Sequence, residues 1–167
     1  AGVSPALDGV VEHPYAFSLP PEKVPYGWGH EKRDGVRVGD QYNSFAGLIN
    51  SYHEKFAAIK QPRSLWVTEF GYTSYWFNGA NEKGLYAGYS EAAQAAYLVR
   101  RFILSLTLPI EVSCQYDFRD DYGSDSKEAE ANFGLLRGDM SRKPAFYAVQ
   151  RLNSLLGGWE LDTAAKI

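Results

Sequence analysis

One order of elements recurs three times along the chain: an apolar strand, a long loop and an amphipathic helix. Each apolar segment is short, and polar and aromatic residues follow it before apolar residues return at helical spacing. Strands that alternate with helices pair in parallel and are joined by right-handed crossovers. The sequence therefore predicts an α/β fold with parallel strands at residues 7–15, 65–69 and 109–118.

Each predicted helix has a start signal and an apolar stripe. Asp40 is placed to cap a helix that runs to residue 61, and Ser90 is placed to cap a helix from Glu91 to about Leu106. The third helix is predicted to begin near Pro144, because proline is favoured at the first helical position. The stripe of the first helix comprises Tyr42, Phe45, Ala46, Ile49, Tyr52, Phe56 and Ile59.

The loops after the strands are long, whereas those after the helices are short. This asymmetry is typical of a (β/α) barrel, in which loops at the C-terminal ends of the strands carry function. A doubly wound sheet would share the asymmetry, but no Gly-rich phosphate loop follows a strand. Since three units cannot close an eight-stranded barrel, we expect residues 1–167 to be a single-domain portion of a (β/α)8 TIM barrel, incomplete on its own.

Charge and composition exclude several classes of partner. The net charge is -3 with no block of like charges, so nucleic acid is not expected, and no apolar stretch is long enough to span a membrane. Residues 120–128 lack the spacing of a calcium loop, so we expect no metal and no cofactor. Aromatic residues reach 15%, many of them in polar, Gly-containing stretches, which suits either loop packing or stacking on sugars.

Candidate functional residues lie where the predicted strands end. His13 and Tyr15 follow the first strand, Glu69 ends the second, and Tyr116 and Asp117 lie at the end of the third. In a barrel these strand ends are neighbours, so we expect the five side chains to meet in one pocket. An ionised carboxylate at the end of an apolar strand is costly without a purpose or a partner, which makes Glu69 the strongest candidate.

Three motifs in this order resemble strands six, seven and eight of retaining (β/α)8-barrel glycoside hydrolases. They are "VVEHPY", "LWVTEFGYTS" and "VSCQYDFRDD", and the following "EANFGLLRGDMSRKPAFYAVQRL" resembles the same group. The nearest likeness is to glycoside hydrolase family 39 and its exopolysaccharide-hydrolase relatives. The resemblance implies that the chain is the C-terminal part of a barrel and acts on a glycosidic bond in an oligo- or polysaccharide.

The resemblance also implies roles for the residues that match the motifs. Glu69 corresponds to the nucleophile, and Tyr15 corresponds to a residue whose hydroxyl orients it. His13 would contact the sugar or the nucleophile. From the residues alone, Glu69 could instead pair with a core Arg or Lys, and His13 could be a satisfied core histidine. The expected sugar-binding side chains are Tyr72, Trp76, Tyr116, Asp117 and Trp28.

Strand eight of the family often ends in a Trp, whereas the equivalent stretch here, residues 115–118, contains aromatic residues but no Trp, so the resemblance does not define the innermost sugar site. A retaining mechanism also needs a second carboxylic acid about 5 Å from the first. The resemblance places that acid on strand four, so we expect an N-terminal barrel segment, on a separate chain or removed sequence, to supply it. Location is not indicated by the residues; only the resemblance favours a secreted or periplasmic protein.

Three functions remain open at this point. The chain is a glycosidase portion, a non-catalytic carbohydrate-binding barrel portion, or part of a barrel enzyme that uses Glu69 as a proton-abstracting base. An Asn-Glu pair at a strand end of the upstream segment would favour the glycosidase. The sugar and its linkage are not specified by the sequence.

Overall fold

The computed structural model describes residues 7–25, 39–60, 63–75, 88–121 and 128–159. Within them the fold is α/β, with a three-stranded parallel sheet in the order β1–β2–β3. The prediction of parallel strands that alternate with helices is therefore confirmed. None of the helices in these ranges is both long and apolar enough to cross a membrane.

The strands are β1 (Gly9–Glu12), β2 (Ser64–Phe70) and β3 (Val112–Gln115). β1 and β3 are shorter than predicted because regular pairing with β2 covers only their central residues. After β1 the backbone makes a local turn, in which the Tyr15 N–H donates to the His13 carbonyl at 2.9 Å.

The helices of the described residues are α1 (Phe45–Ala58), α2 (Glu91–Leu106) and α3 (Pro144–Leu156), and a 3-10 turn lies at Glu130–Asn132. α2 has the predicted bounds and cap, since the Ser90 side chain accepts a hydrogen bond from the Ala93 N–H at 3.1 Å. α3 begins at Pro144 as predicted, because the missing proline N–H costs nothing in the first turn.

α1 begins later than predicted, and Asp40 is not its cap. Ser44 is the cap residue, and its hydroxyl accepts from the Gly47 N–H at 2.9 Å. The Asp40 carboxylate instead accepts from the N–H groups of Tyr42 and Ser44, which fixes the turn before the helix. Burial alone would raise the pKa of Asp40, but the hydrogen bonds from Ser44 and Tyr42 outweigh it and hold that pKa below its ordinary value.

The hydrophobic core lies on one face of the sheet, where all three helices contribute to it. Leu65, Val67 and Phe70 of β2 face this core. Tyr42, predicted on the buried stripe of α1, is exposed because it precedes the helix. The other members of the core are Ala16, Val24, Phe45, Leu48, Ile49, Phe56, Tyr72, Ala95, Leu98 and Ala145.

The opposite face of the sheet is not covered by any helix of the described residues, and we call it the open face. Val11, Trp66 and Val112 lie side by side there in neighbouring strands. Val11 is 49% and Val112 is 42% exposed. Val10 and Val67 pack toward the helices instead, because alternation along each strand turns them to the core side.

A buried ion pair lies in the segment that follows β3 and contacts the segment that follows β2. Lys143 Nζ lies 2.6 Å from Asp120 Oδ1, and the side chains are only 1% and 5% exposed. The same ammonium donates to the Ser74 hydroxyl at 2.9 Å, and the carboxylate accepts from the Gly134 N–H at 2.8 Å. Burial raises the pKa of Asp120 and lowers that of Lys143, so desolvation outweighs their mutual attraction.

Candidate active site at the strand ends

Three of the predicted site residues meet at the C-terminal ends of β1 and β2. The Tyr15 hydroxyl donates a hydrogen bond to Glu69 Oε2 at 3.1 Å. His13 Nδ1 lies 3.6 Å from the same oxygen, and the two side chains are 45% and 41% exposed. The carboxylate therefore has a phenol and an imidazole beside one oxygen and remains accessible to solvent.

A bulge in β2 determines which face of the sheet Glu69 occupies. Val67 lies opposite Ser113, whereas Phe70 lies opposite Gln115, so three steps along β2 match two along β3. A bulge shifts the alternation of side chains by one residue. Strict alternation would put Glu69 on the core face with Val67; with the bulge, Phe70 takes the core face and Glu69 the open face.

His13 is held from both sides of its ring. Its Nε2 lies 2.9 Å from the Thr68 hydroxyl, and its Nδ1 faces Glu69. The preceding Glu12 points to the other face of the sheet, as expected from strand alternation, and accepts a hydrogen bond from the Tyr52 hydroxyl of α1. Burial, followed by this contact with Glu12, raises the pKa of Tyr52.

Tyr15 is packed between two other rings. Phe17 stacks on it, with centroids 5.9 Å apart, and Phe133 meets it edge-on at 5.8 Å. No sequence pattern singles out Phe133, although it lies in the "EANFGL" stretch that resembles the same group of enzymes. Its position beside the site depends on the loop after β3, which no local pattern predicts.

Tyr116 and Asp117 follow β3, and Tyr116 approaches the same region. Tyr116 is 36% exposed and its ring packs on Phe133 at 5.5 Å. Partial burial raises the pKa of its phenol, and four nearby carboxylates, of which Glu69 is one, raise it further. Asp117 is joined to Tyr116 by a cis peptide bond, and its side chain accepts from the next backbone N–H, at Phe118.

Gly71 permits the close approach of the segments after β2 and β3. A Cβ at this position would lie 2.1 Å from the Tyr116 carbonyl oxygen and 2.8 Å from the ring of Phe133. No side chain fits there, so the backbone two residues beyond Glu69 packs directly on the end of β3.

Tyr72 does not lie at this site, which corrects the expectation that it binds sugar. It is 1% exposed, its ring meets Tyr89 and Tyr97 edge-on, and its hydroxyl accepts from Arg101 Nε at 3.3 Å. Its ring fills space in the core between the end of β2 and α2. The other two expected sugar-binding aromatics, Trp28 and Trp76, lie outside the described residues.

The chemistry of the site is that of an accessible carboxylate with hydrogen-bonding groups around it. Such a carboxylate can attack an electrophilic carbon or accept a proton. Among the described residues, no group of three or more His, Cys, Asp or Glu side chains could hold a metal ion.

Comparison with solved structures relates this chain to glycoside hydrolases. A family 39 glycoside hydrolase from Bacteroides cellulosilyticus WH2 superposes with a TM-score of 0.65 and 28% identity, over 92% of this chain and 28% of that chain. No protein-family model matches the sequence, and no curated protein matches it.

Two further enzymes share the fold at lower identity. They are a family 2 β-galacturonidase from Eisenbergiella tayi and a β-D-glucuronidase from Dictyoglomus thermophilum. The first has a TM-score of 0.57 and 14% identity, and the alignment covers 93% of this chain and 25% of that chain. The second has a TM-score of 0.52 and 16% identity, over 95% of this chain and 25% of that chain. The chain thus spans about a quarter of the length of the solved enzymes that it matches.

Proposed function

We propose that this chain is the C-terminal portion of a (β/α)8-barrel glycoside hydrolase and carries the nucleophile of a retaining mechanism. The observation that carries the proposal is the Glu69 carboxylate at the end of β2, on the open face, with the Tyr15 hydroxyl 3.1 Å from Oε2. The 28% identity to a family 39 glycoside hydrolase supports the choice of reaction.

In this proposal Glu69 attacks the anomeric carbon of the sugar while the bond from that carbon to the leaving oxygen breaks. The leaving oxygen takes a proton from a second carboxylic acid. Water then attacks the covalent glycosyl-enzyme, its proton passes to the second carboxylate, and Glu69 is released. Tyr15 orients the carboxylate through its hydrogen bond, and His13 contacts the sugar or supports Glu69 from the side.

An N-terminal barrel segment is the proposed partner that completes the fold and supplies the second acid. Within the described ranges β1 and β3 each pair only with β2, and the open face carries Val11, Trp66 and Val112. Helices on one face only are typical of a barrel wall, whereas a doubly wound sheet has helices on both. We call the chain together with this segment the complemented protein.

α3 has a surface suited to such a segment. Ala145 is its one buried residue, whereas Tyr147, Leu155 and Leu156 are exposed. A groove of about 380 Å³ runs between α2, β3 and α3, and Phe102 and Leu152 line it. Closure of the barrel would place the first strand of the N-terminal segment against β3. The helix that follows that strand would then pack against the apolar surface of α3.

The substrate of the complemented protein is proposed to be an oligo- or polysaccharide. Tyr116 and Asp117 are the proposed sugar contacts at the end of β3. Trp28 and Trp76 remain proposed contacts on sequence grounds. The uronic acids named for the family 2 relatives are not carried over, because the identity to those enzymes supports the fold alone.

The decisive experiment replaces Glu69 with Gln in the complemented protein. The amide keeps the shape of the side chain but cannot attack, so turnover should fall by several orders of magnitude while sugar still binds. Glu12→Gln is the matched control, because Glu12 lies on the other face against Tyr52 and should retain activity. NMR of the first-formed product should show retained anomeric configuration.

Three results would contradict the proposal. Near-normal turnover of Glu69→Gln would remove Glu69 from the mechanism. An inverted product would exclude the covalent intermediate. Sugar binding without any hydrolysis by the wild-type complemented protein would favour a carbohydrate-binding barrel instead.

A further inference from the structure

We propose that Phe133 is a positioning residue that holds the Tyr15 hydroxyl on the Glu69 carboxylate. That this geometry serves glycoside hydrolysis rests on the function proposed above. The Phe133 ring is 1% exposed and lies where the ends of the three strands meet. Its contacts extend to Tyr15 after β1, to the backbone after β2 and to Tyr116 after β3.

The sheet alone does not fix the direction of the Tyr15 ring. β1 ends at Glu12, and the backbone beyond it turns through the bond from the Tyr15 N–H to the His13 carbonyl. Packing against other side chains therefore sets the angle at which the phenol reaches Glu69. Among the described residues, the rings of Phe17 and Phe133 pack on it.

Phe17 is the weaker of these two supports. It lies in the same loop as Tyr15 and is partly exposed, so its position is not independent of that loop. Its φ of 51° lies in the left-handed region, which bulky residues rarely adopt. Phe133 is buried and belongs to a distant segment, so it can act as a fixed reference for the ring of Tyr15.

The backbone of Phe133 is anchored from three directions. Its carbonyl accepts from Gln115 Nε2 at 3.0 Å, from the Asp117 N–H at 3.2 Å and from Gln94 Nε2 at 3.3 Å. Gln94 belongs to α2 and is fully buried. The ring position is thereby tied to the end of β3 and to the helix behind the sheet.

The ring of Phe133 also packs against the segment that carries Glu69. A Cβ on Gly71 would lie only 2.8 Å from its Cδ1. One buried ring thus contacts both the residue that donates the hydrogen bond and the chain two residues after the acceptor. Displacement of the Tyr15 hydroxyl by more than about 0.4 Å away from Glu69 would lengthen its 3.1 Å bond past about 3.5 Å, so the bond depends on how closely the ring is held.

The test compares Phe133→Leu with Tyr15→Phe in the complemented protein. Crystal structures should show the Tyr15 hydroxyl more than about 3.5 Å from Glu69 in Phe133→Leu, with the sheet unchanged. Each single variant should lower kcat by a similar factor, about 10- to 100-fold, and the double variant should be no slower than the worse single variant. Because both changes remove the same hydrogen bond, their effects should not multiply.

Phe45→Leu is the matched control, since Phe45 is fully buried in α1 and packs under the Arg101 guanidinium. It should lower the free energy of unfolding without moving Tyr15. Should Phe133→Leu fail to fold, Phe133→Met offers a flexible side chain that fills irregular space without a ring edge.

The outcomes separate this inference from the proposed function. A Tyr15 hydroxyl that stays within 3.5 Å of Glu69 in the Phe133 variants, or moves equally in Phe45→Leu, overturns the inference whatever the activity. Multiplicative losses in kcat overturn it as well. A displaced hydroxyl in a protein without glycosidase activity supports the role of Phe133 and refutes the proposed function.

Discussion

Replacing Lys143 with Met removes the cation from the buried pair beside the site. Lys143 Nζ contacts Asp120 at 2.6 Å, Ser74 at 2.9 Å and the Asn132 carbonyl at 3.3 Å. Breaking a buried ion pair by deleting one partner typically costs about 3 to 5 kcal/mol, because the remaining charge is buried without compensation. We expect a loss of this size in the free energy of unfolding.

The pH dependence of this loss follows from Asp120. Burial raises its pKa even with Lys143 present, and without the cation the folded variant should take up a proton there. At pH 7, protonating a carboxyl of ordinary pKa near 3.9 costs about 4 kcal/mol, and at pH 5 it costs about 1.5 kcal/mol. Because the pKa of Asp120 is raised in the folded variant, the loss in the free energy of unfolding is smallest below about pH 4 and grows as the pH rises.

Urea unfolding of the complemented protein at pH 5 and pH 7 measures the loss in the free energy of unfolding and its dependence on pH. Lys23→Met is the matched control, because the Lys23 ammonium makes an exposed hydrogen bond to the Tyr42 carbonyl and should cost less than about 1 kcal/mol. The pH dependence should also vanish in the Asp120→Asn background. An equal loss at both pH values, or a loss under about 1 kcal/mol at pH 7, would refute the reasoning.

Two further predictions concern Gly71 and Asp40. Gly71→Ala should lower the free energy of unfolding by about 1 to 3 kcal/mol and reduce activity, because the added Cβ would overlap the Tyr116 carbonyl and the Phe133 ring. Unchanged urea unfolding and unchanged turnover would argue against this close approach. The folded pKa of Asp40 is lowered, so its contribution to stability is present above about pH 4 and is lost as the pH falls through the folded pKa. Asp40→Asn should therefore flatten the acid limb of the unfolding profile, and a profile as steep as that of the wild type would assign the acid sensitivity to other groups.

Signals confined to a few neighbouring residues predicted the secondary structure well. Residues within one turn of a helix end determine where the helix begins and ends. They predicted Ser90 as a cap, the bounds of α2 and the start of α3 at Pro144. The prediction of Asp40 as a cap is wrong because Asp and Ser both favour that position, and Ser44 lies four residues closer to the start of the helix.

The arrangement of the site depended on contacts between distant segments, and the sequence predicted it only in part. His13, Tyr15 and Glu69 were expected together because strand ends are neighbours in a parallel sheet. The bulge that turns Glu69 to the open face has no local signature, since it arises from pairing with β3. Tyr72 looked like a loop aromatic, but its burial reflects the space between α2 and the sheet.

The alternation along β3 gives the single cysteine of the chain an unexpected use. Ser113 faces α2, where its hydroxyl contacts Ser105, so Cys114 is turned to the open face and is exposed. Thiol-reactive reagents reach an exposed cysteine quickly and an enclosed one slowly. The rate at which Cys114 is alkylated therefore reports whether the sheet has been closed into a barrel, in real time and without any introduced label.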